Sequence, residues 1–161
     1  MKENLLESLS TDVVNALNQK NLVLTTAESC TGGWLGKAIT DIAGSSAVFD
    51  RGFVTYSNQS KIEMLGVNAE TLQQYGAVSE EITQQMANGA VNNSNASIAI
   101  STSGIAGPGG GSEEKPVGSV CFAWHFNAET ISASRLFTGN RDSIRYQSCC
   151  YALEKLLEQL A

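Results

Sequence analysis

Two short stretches of small residues carry the chemistry open to this chain. Glu28-Ser29-Cys30-Thr31-Gly32-Gly33 lies between a run of strand character and a run of helix character. Ala106-Gly107-Pro108-Gly109-Gly110-Gly111-Ser112 follows the apolar run Ser97-Ile98-Ala99-Ile100 by way of Ser101-Thr102-Ser103-Gly104, which reads as the start of a loop. Glycine has no Cβ and takes positive φ at little cost, so clustered glycines bare consecutive N–H groups that cup an anion. Two such turns predict one composite ligand site. Ser29 sits where free N–H groups and a helix dipole favour developing negative charge, which suits a nucleophile. The same position suits a helix N-cap, and spacing does not choose between the two. The only histidine, His125, falls in a strand-like run and the turn is not G-x-S-x-G, so a base for Ser29 must be another residue. Lys61, at the end of Tyr56-Ser57-Asn58-Gln59-Ser60-Lys61, is the candidate, provided that burial or a nearby cation lowers its pKa. A solvated surface lysine is the competing expectation.

Cys30 is a rival nucleophile, because thiolates at helix N-termini have lowered pKa. The other cysteines, Cys121, Cys149 and Cys150, show no C-x-x-C spacing and read as packing residues, so no metal or cofactor is expected. The glycine loop matches neither G-x-x-x-x-G-K-[ST] nor G-x-G-x-x-G, which removes the usual support for ATP or NAD. Arg141 and Arg145 share one side of a predicted helix and form either a fork for a phosphate or carboxylate, or an exposed pair beside Asp142. A literal Ser-x-x-Lys at Ser112 to Lys115 runs straight into Pro116, which disfavours the helix such a pair works from, and is read as coincidence.

These residues need a scaffold, and apolar spacing supplies one. Leu5, Leu6, Leu9, Val13, Val14 and Leu17 predict a helix ending near Lys20-Asn21, and Leu22 to Thr26 a strand. Trp34, Leu35, Ala38, Ile39 and Ile42 predict a helix opening between Ser29 and Gly33. Ala47 to Tyr56 reads as a strand interrupted at Asp50-Arg51-Gly52, followed by a short helix carrying Lys61 and another from about Ser79 to Asn92. Val117 to Phe126 and Thr130 to Phe137 predict an antiparallel hairpin, and Asn140 caps a last helix. The alternation implies a single three-layer α/β/α domain over residues 1–161, with a mixed β-sheet.

A chain of 161 residues is long enough to bury roughly 70% of its unfolded surface without staples. The net charge of -6 argues against broad nucleic-acid binding, which takes clustered Lys and Arg. The acidic N-terminus is no secretory signal and no run nears the ~20 apolar residues of a membrane span, so a cytoplasmic protein is expected.

Taken together, Ala27 to Gly33, Gly52 to Asn58, Tyr75 to Ser79 and Gly104 to Pro108 resemble the CinA C-terminal domain family, the nicotinamide-nucleotide amidases. The likeness runs from about Leu5 to Leu160 and includes Gly110-Gly111-Ser112 and Lys115-Pro116-Val117-Gly118 in order. The resemblance implies hydrolysis of the carboxamide of nicotinamide mononucleotide to nicotinate mononucleotide and ammonia, and a dimer. It places the family's serine on Ser29 and its tyrosine and lysine on Tyr56 and Lys61. Ser103 stands where many relatives have threonine, and many also carry an extra N-terminal domain resembling molybdopterin-binding proteins, whose activities are not assigned here. The implied mechanism has Ser29 attack the carboxamide while Lys61 takes its proton directly or through Tyr56. Amides of Cys30, Thr31, Gly32 and Gly33, or of Gly104 and Ile105, would hold the oxyanion, and the remaining loop amides with Arg141 or Arg145 the phosphate. A nucleotide-binding regulatory module without turnover, or an interaction domain whose glycines only make turns, are the alternatives of other classes.

Overall fold

Which runs are apolar on both faces decides the middle of the sheet. In the computed structural model, which describes residues 4–161, the elements are α1 (Leu5–Lys20), β1 (Leu24–Glu28), α2 (Trp34–Thr40), a 3-10 turn (Ser45–Ala47), β2 (Phe49–Val54), α3 (Asn58–Leu65), α4 (Ala69–Tyr75), α5 (Glu80–Asn92), β3 (Ile98–Gly104), β4 (Ser119–Phe126), β5 (Glu129–Leu136) and α6 (Arg141–Leu160). All of β1 and nearly all of β3 are buried, and they lie side by side in the order β2-β1-β3-β4-β5. β1 runs parallel to β2 and β3, while β3–β4 and β4–β5 are antiparallel. The sheet is mixed, as the element pattern implied.

One sheet face packs Leu24, Ile98, Ile100, Phe122 and Trp124 against α1, α2 and α6; the other packs Ala27, Ala99 and Ala123 against α3, α4 and α5. The alanines let α5 approach closely, and α5 in turn supports α3, which carries Lys61. The three-layer arrangement follows, with each helical layer covering one face.

Three local expectations change. β2 runs as one edge strand through Asp50-Arg51-Gly52, and the interruption expected there takes the form of a register shift against β1, Leu24 facing Phe49 and Thr26 facing Gly52, with Arg51 and Gly52 exposed. β3 continues through Ser101 to Gly104, because its hydroxyls find partners inside: Ser101 donates to the Thr83 carbonyl (2.6 Å), and the Thr102 and Thr31 hydroxyls lie 2.8 Å apart. The short helix α4, capped by Asn68, has too few apolar residues to stand out by periodicity.

Gly89 of α5 lies directly on the last turn of α3, where an added Cβ would collide with the Leu65 carbonyl. Gly89→Ala gains about 1 kcal/mol of helix propensity and loses about 1–3 kcal/mol to overpacking. A lower urea midpoint is therefore expected, together with reduced activity as α3 shifts; an unchanged midpoint would show that the α3–α5 contact gives way freely.

Candidate active site

The Ser29 turn is set by its neighbours. The Ser29 N–H donates to the Thr102 carbonyl of β3 (3.0 Å), and the Ser29 carbonyl accepts from the Gly32 N–H (3.0 Å). α2 starts only at Trp34, with Gly33 as a cap that offers no side chain, so Ser29 does not cap it. Glu28 does that work instead. Its carboxylate, 1% exposed, accepts from the N–H groups of Leu35 (2.8 Å) and Gly36 (2.9 Å) and from the hydroxyls of Thr31 (2.7 Å) and Thr26 (3.3 Å). The helix dipole favours a carboxylate there. Glu28 was missed as a positioning residue, although an acid ahead of a helix whose cap position is glycine is a readable sign of this arrangement.

Lys61 is not a surface lysine. A capping box between Ser57 and Ser60 starts α3, turning Lys61 inward to 1% exposure. Its Nζ donates to Ser29 Oγ (3.0 Å) and to the Thr55 carbonyl (2.8 Å). Among the described residues no carboxylate lies within ion-pair distance of it, the pairs being Lys37–Asp41, Arg51–Asp50 and Lys155–Glu158. Burial holds its pKa below the ordinary lysine value.

The remaining candidates separate. Burial pushes the Cys30 thiol up to about 12, the reverse of what a cysteine nucleophile needs. Tyr56 is exposed and its hydroxyl accepts from Arg141 (3.1 Å), so it does not bridge Lys61 and Ser29, which touch directly. Arg141 also donates to the Gly107 carbonyl (2.7 Å) at the glycine loop. Arg145 points elsewhere: it donates to the Cys30 and Thr31 carbonyls (both 3.0 Å) and stacks 5.4 Å from the Trp34 ring, bracing the turn. The two arginines therefore form no fork.

A cleft of about 320 Å³ joins the pieces, lined by Ser29, Cys30, Tyr56, Lys61, Ser103 to Gly107, Gly109, Gly110 and Arg141. Thr31, Gly32 and Gly33, expected among the binding residues, do not line it. The Ile105 N–H is taken by the Ser119 carbonyl (2.9 Å), so it is not free for an oxyanion. Asn58, Ala77 and Val78 also line the cleft and were not named as site residues, although they fall in two of the stretches that carry the family resemblance. In a larger groove of about 880 Å³ beyond Val78 the Ser134 hydroxyl donates to the Glu80 carboxylate (2.8 Å), which also accepts from Ser132 (2.8 Å), and the one thiol there, Cys121, is raised by burial. His125 of β4 bonds Thr130 of β5 (2.9 Å) and Asn88 of α5 (3.0 Å), and Lys115 ties its loop to the Tyr75 carbonyl (2.6 Å), so neither serves Ser29.

A family model described as the CinA C-terminal domain matches residues 6–160. The chain belongs to the CinA C-terminal domain family. It is 54% identical over 160 residues to the nicotinamide-nucleotide amidohydrolase PncC of Escherichia coli K12, covering 99% of this chain and 97% of that one. It is 46% identical to the protein of the same name from Pseudomonas putida, covering 94% of each. Among solved structures it superposes with a TM-score of 0.93 on the competence/damage inducible protein CihA of Agrobacterium tumefaciens, at 46% identity, covering 98% of this chain and 97% of that one.

In this CinA domain the Glu28 carboxylate holds both the start of α2 and the Thr31–Thr102 contact behind Ser29. Glu28→Gln turns an amide NH₂ toward the same donors, and a loss of about 1–3 kcal/mol in urea denaturation is expected from the orphaned N–H groups. A variant as stable as the parent would show that the carboxylate is not what caps α2.

Proposed function

We infer that this protein is a nicotinamide-nucleotide amidase, hydrolysing the carboxamide of nicotinamide mononucleotide to nicotinate mononucleotide and ammonia with Ser29 as nucleophile and Lys61 as base. The carrying observation is the 3.0 Å contact between Ser29 Oγ and an Nζ buried without a carboxylate partner. The names of its full-length relatives support the same reaction. A neutral amine offers a lone pair, and Ser29 is the hydroxyl nearest to give it a proton.

In the first half-reaction the Ser29 Oγ–H bond breaks, its proton passes to Lys61 Nζ, and Oγ bonds the carboxamide carbon while the carbonyl pair moves onto oxygen. Collapse breaks the C–N bond, Lys61 returns the proton to the leaving nitrogen, and ammonia departs. Water, deprotonated by the same amine, then cleaves the acyl-enzyme. The Cys30 N–H, next in chain to the nucleophile, is the oxyanion donor in this scheme; one such donor is typically worth about 10²–10³ in rate. Arg141 and the amides of Gly107, Gly109 and Gly110 take the phosphate, and Tyr56, displaced from Arg141, covers the ring. Arg145 keeps the turn in shape. A cationic pyridinium near Lys61 helps to keep the amine neutral. The protein acts in the cytoplasm as a homodimer, and light scattering at twice the 17.1 kDa chain mass checks the dimer, whereas the single mass contradicts it.

Ammonia release from nicotinamide mononucleotide tests the assignment. Ser29→Ala is expected to lose at least about 10³ in kcat, Cys30→Ala to stay active, and Arg141→Ala to raise KM more than it lowers kcat. Because Lys61 must be neutral to act, kcat/KM should rise with pH through a single ionisation below the ordinary lysine value. An inactive wild type that binds the nucleotide would instead support a regulatory module, and an inactive Cys30→Ala beside an active Ser29→Ala would move the nucleophile to the thiol.

A further inference from the structure

Thr55 sits between the end of β2 and the Ser57 cap of α3, fully buried. Its N–H donates to the Glu28 carbonyl (2.8 Å) and its carbonyl accepts from Lys61 Nζ (2.8 Å). Its hydroxyl is the one buried side-chain oxygen among the described residues that has no hydrogen-bond partner. An orphaned buried hydroxyl costs stability, and valine would fill the same branched shape without that cost. Local packing therefore gives no reason for the oxygen.

Lys61 supplies one. Two atoms hold its Nζ, Ser29 Oγ and the Thr55 carbonyl. As a neutral base it turns its lone pair to Ser29 and gives one N–H to the Thr55 carbonyl, leaving one weakly polar N–H over; as an ammonium it has three N–H bonds for the same two acceptors, and an unanswered N–H on a cation in a dry site is far more expensive. Thr55 Oγ1 belongs to the residue whose carbonyl already holds Nζ, separated from that oxygen only by C, Cα and Cβ. We propose that Thr55 is a positioning residue whose hydroxyl is reserved as the third acceptor for Lys61 when it carries the Ser29 proton. The oxygen is idle in the resting enzyme and engaged only while the charge exists, so its benefit falls on the intermediate and not on the ground state. This rests on the amidase assignment of Ser29 and Lys61. Other titratable groups on the same cleft are Cys30 from the Ser29 turn, Tyr56 before α3 and Arg141 from α6. The Cys30 thiol, raised to about 12, stays neutral while Lys61 titrates.

The test compares Thr55→Val, which deletes the hydroxyl and keeps the shape, with Thr55→Ser, which keeps the hydroxyl. Lys61 is titrated by NMR on protein with ¹³C-labelled lysine, and turnover of nicotinamide mononucleotide is followed across pH. Thr55→Val is expected to fold with an equal or higher urea midpoint and to titrate Lys61 about one pH unit lower, with kcat reduced about ten-fold. Thr55→Ser should restore both. Thr55→Ala makes the same deletion should the valine variant not fold. A Lys61 titration unmoved in the valine and alanine variants overturns the proposal, as does a serine variant as impaired as valine, which would assign the effect to the methyl group. A wild type that releases no ammonia would sink the amidase assignment alone, since the NMR titration still decides the fate of the hydroxyl.

Discussion

Everything in the site depends on an amine buried without a counter-charge. An isolated ammonium in a low-dielectric interior is costly, and a protein answers by pairing it or by letting it lose its proton. Lys61 has no carboxylate, only a hydroxyl and a carbonyl, so the interior favours the neutral form. That single condition turns an ordinary lysine into a base and an ordinary serine into its partner. The nearest carboxylate in sequence to Ser29 is Glu28, and the fold spends it on the N–H groups of α2, facing away from Lys61.

The topology explains how residues so far apart in sequence meet. From β1 the chain crosses to β2 on one side and later to β3 on the other, and in an open sheet the crevice at such a reversal lies beyond the carboxyl ends of the strands. Ser29 follows β1, Thr55, Tyr56 and Lys61 follow β2, and the glycine loop follows β3. Each strand delivers one component: nucleophile, base and anion cradle. The antiparallel strands β4 and β5 extend the sheet away from the cleft and carry His125, which explains why the histidine takes no part.

Much of this was legible beforehand because chemistry of this kind leaves residue-type signals. Serine between strand and helix, lysine after a strand and clustered glycines all stood out, and apolar periodicity located α1, α2 and α6. What escaped were relations in space. Arg141 and Arg145 share a helix side in sequence, yet α6 presents one to the glycine loop and the other to the Ser29 turn. The Ile105 amide looked free as part of a glycine-rich loop but is spent on Ser119. Capping by Glu28 was overlooked because the acceptor precedes the turn that it stabilises, and the break read at Asp50-Arg51-Gly52 is a shift of register that leaves β2 one strand.

The account centres on a covalent intermediate at Ser29, and rapid acid quench of the enzyme during turnover, followed by peptide mass spectrometry, tests it most directly. An adduct of nicotinamide mononucleotide less ammonia on the peptide containing Ser29, lost in Ser29→Ala, is the predicted result. Turnover with that adduct on Cys30, or with no adduct under conditions where acylation outpaces hydrolysis, would contradict it.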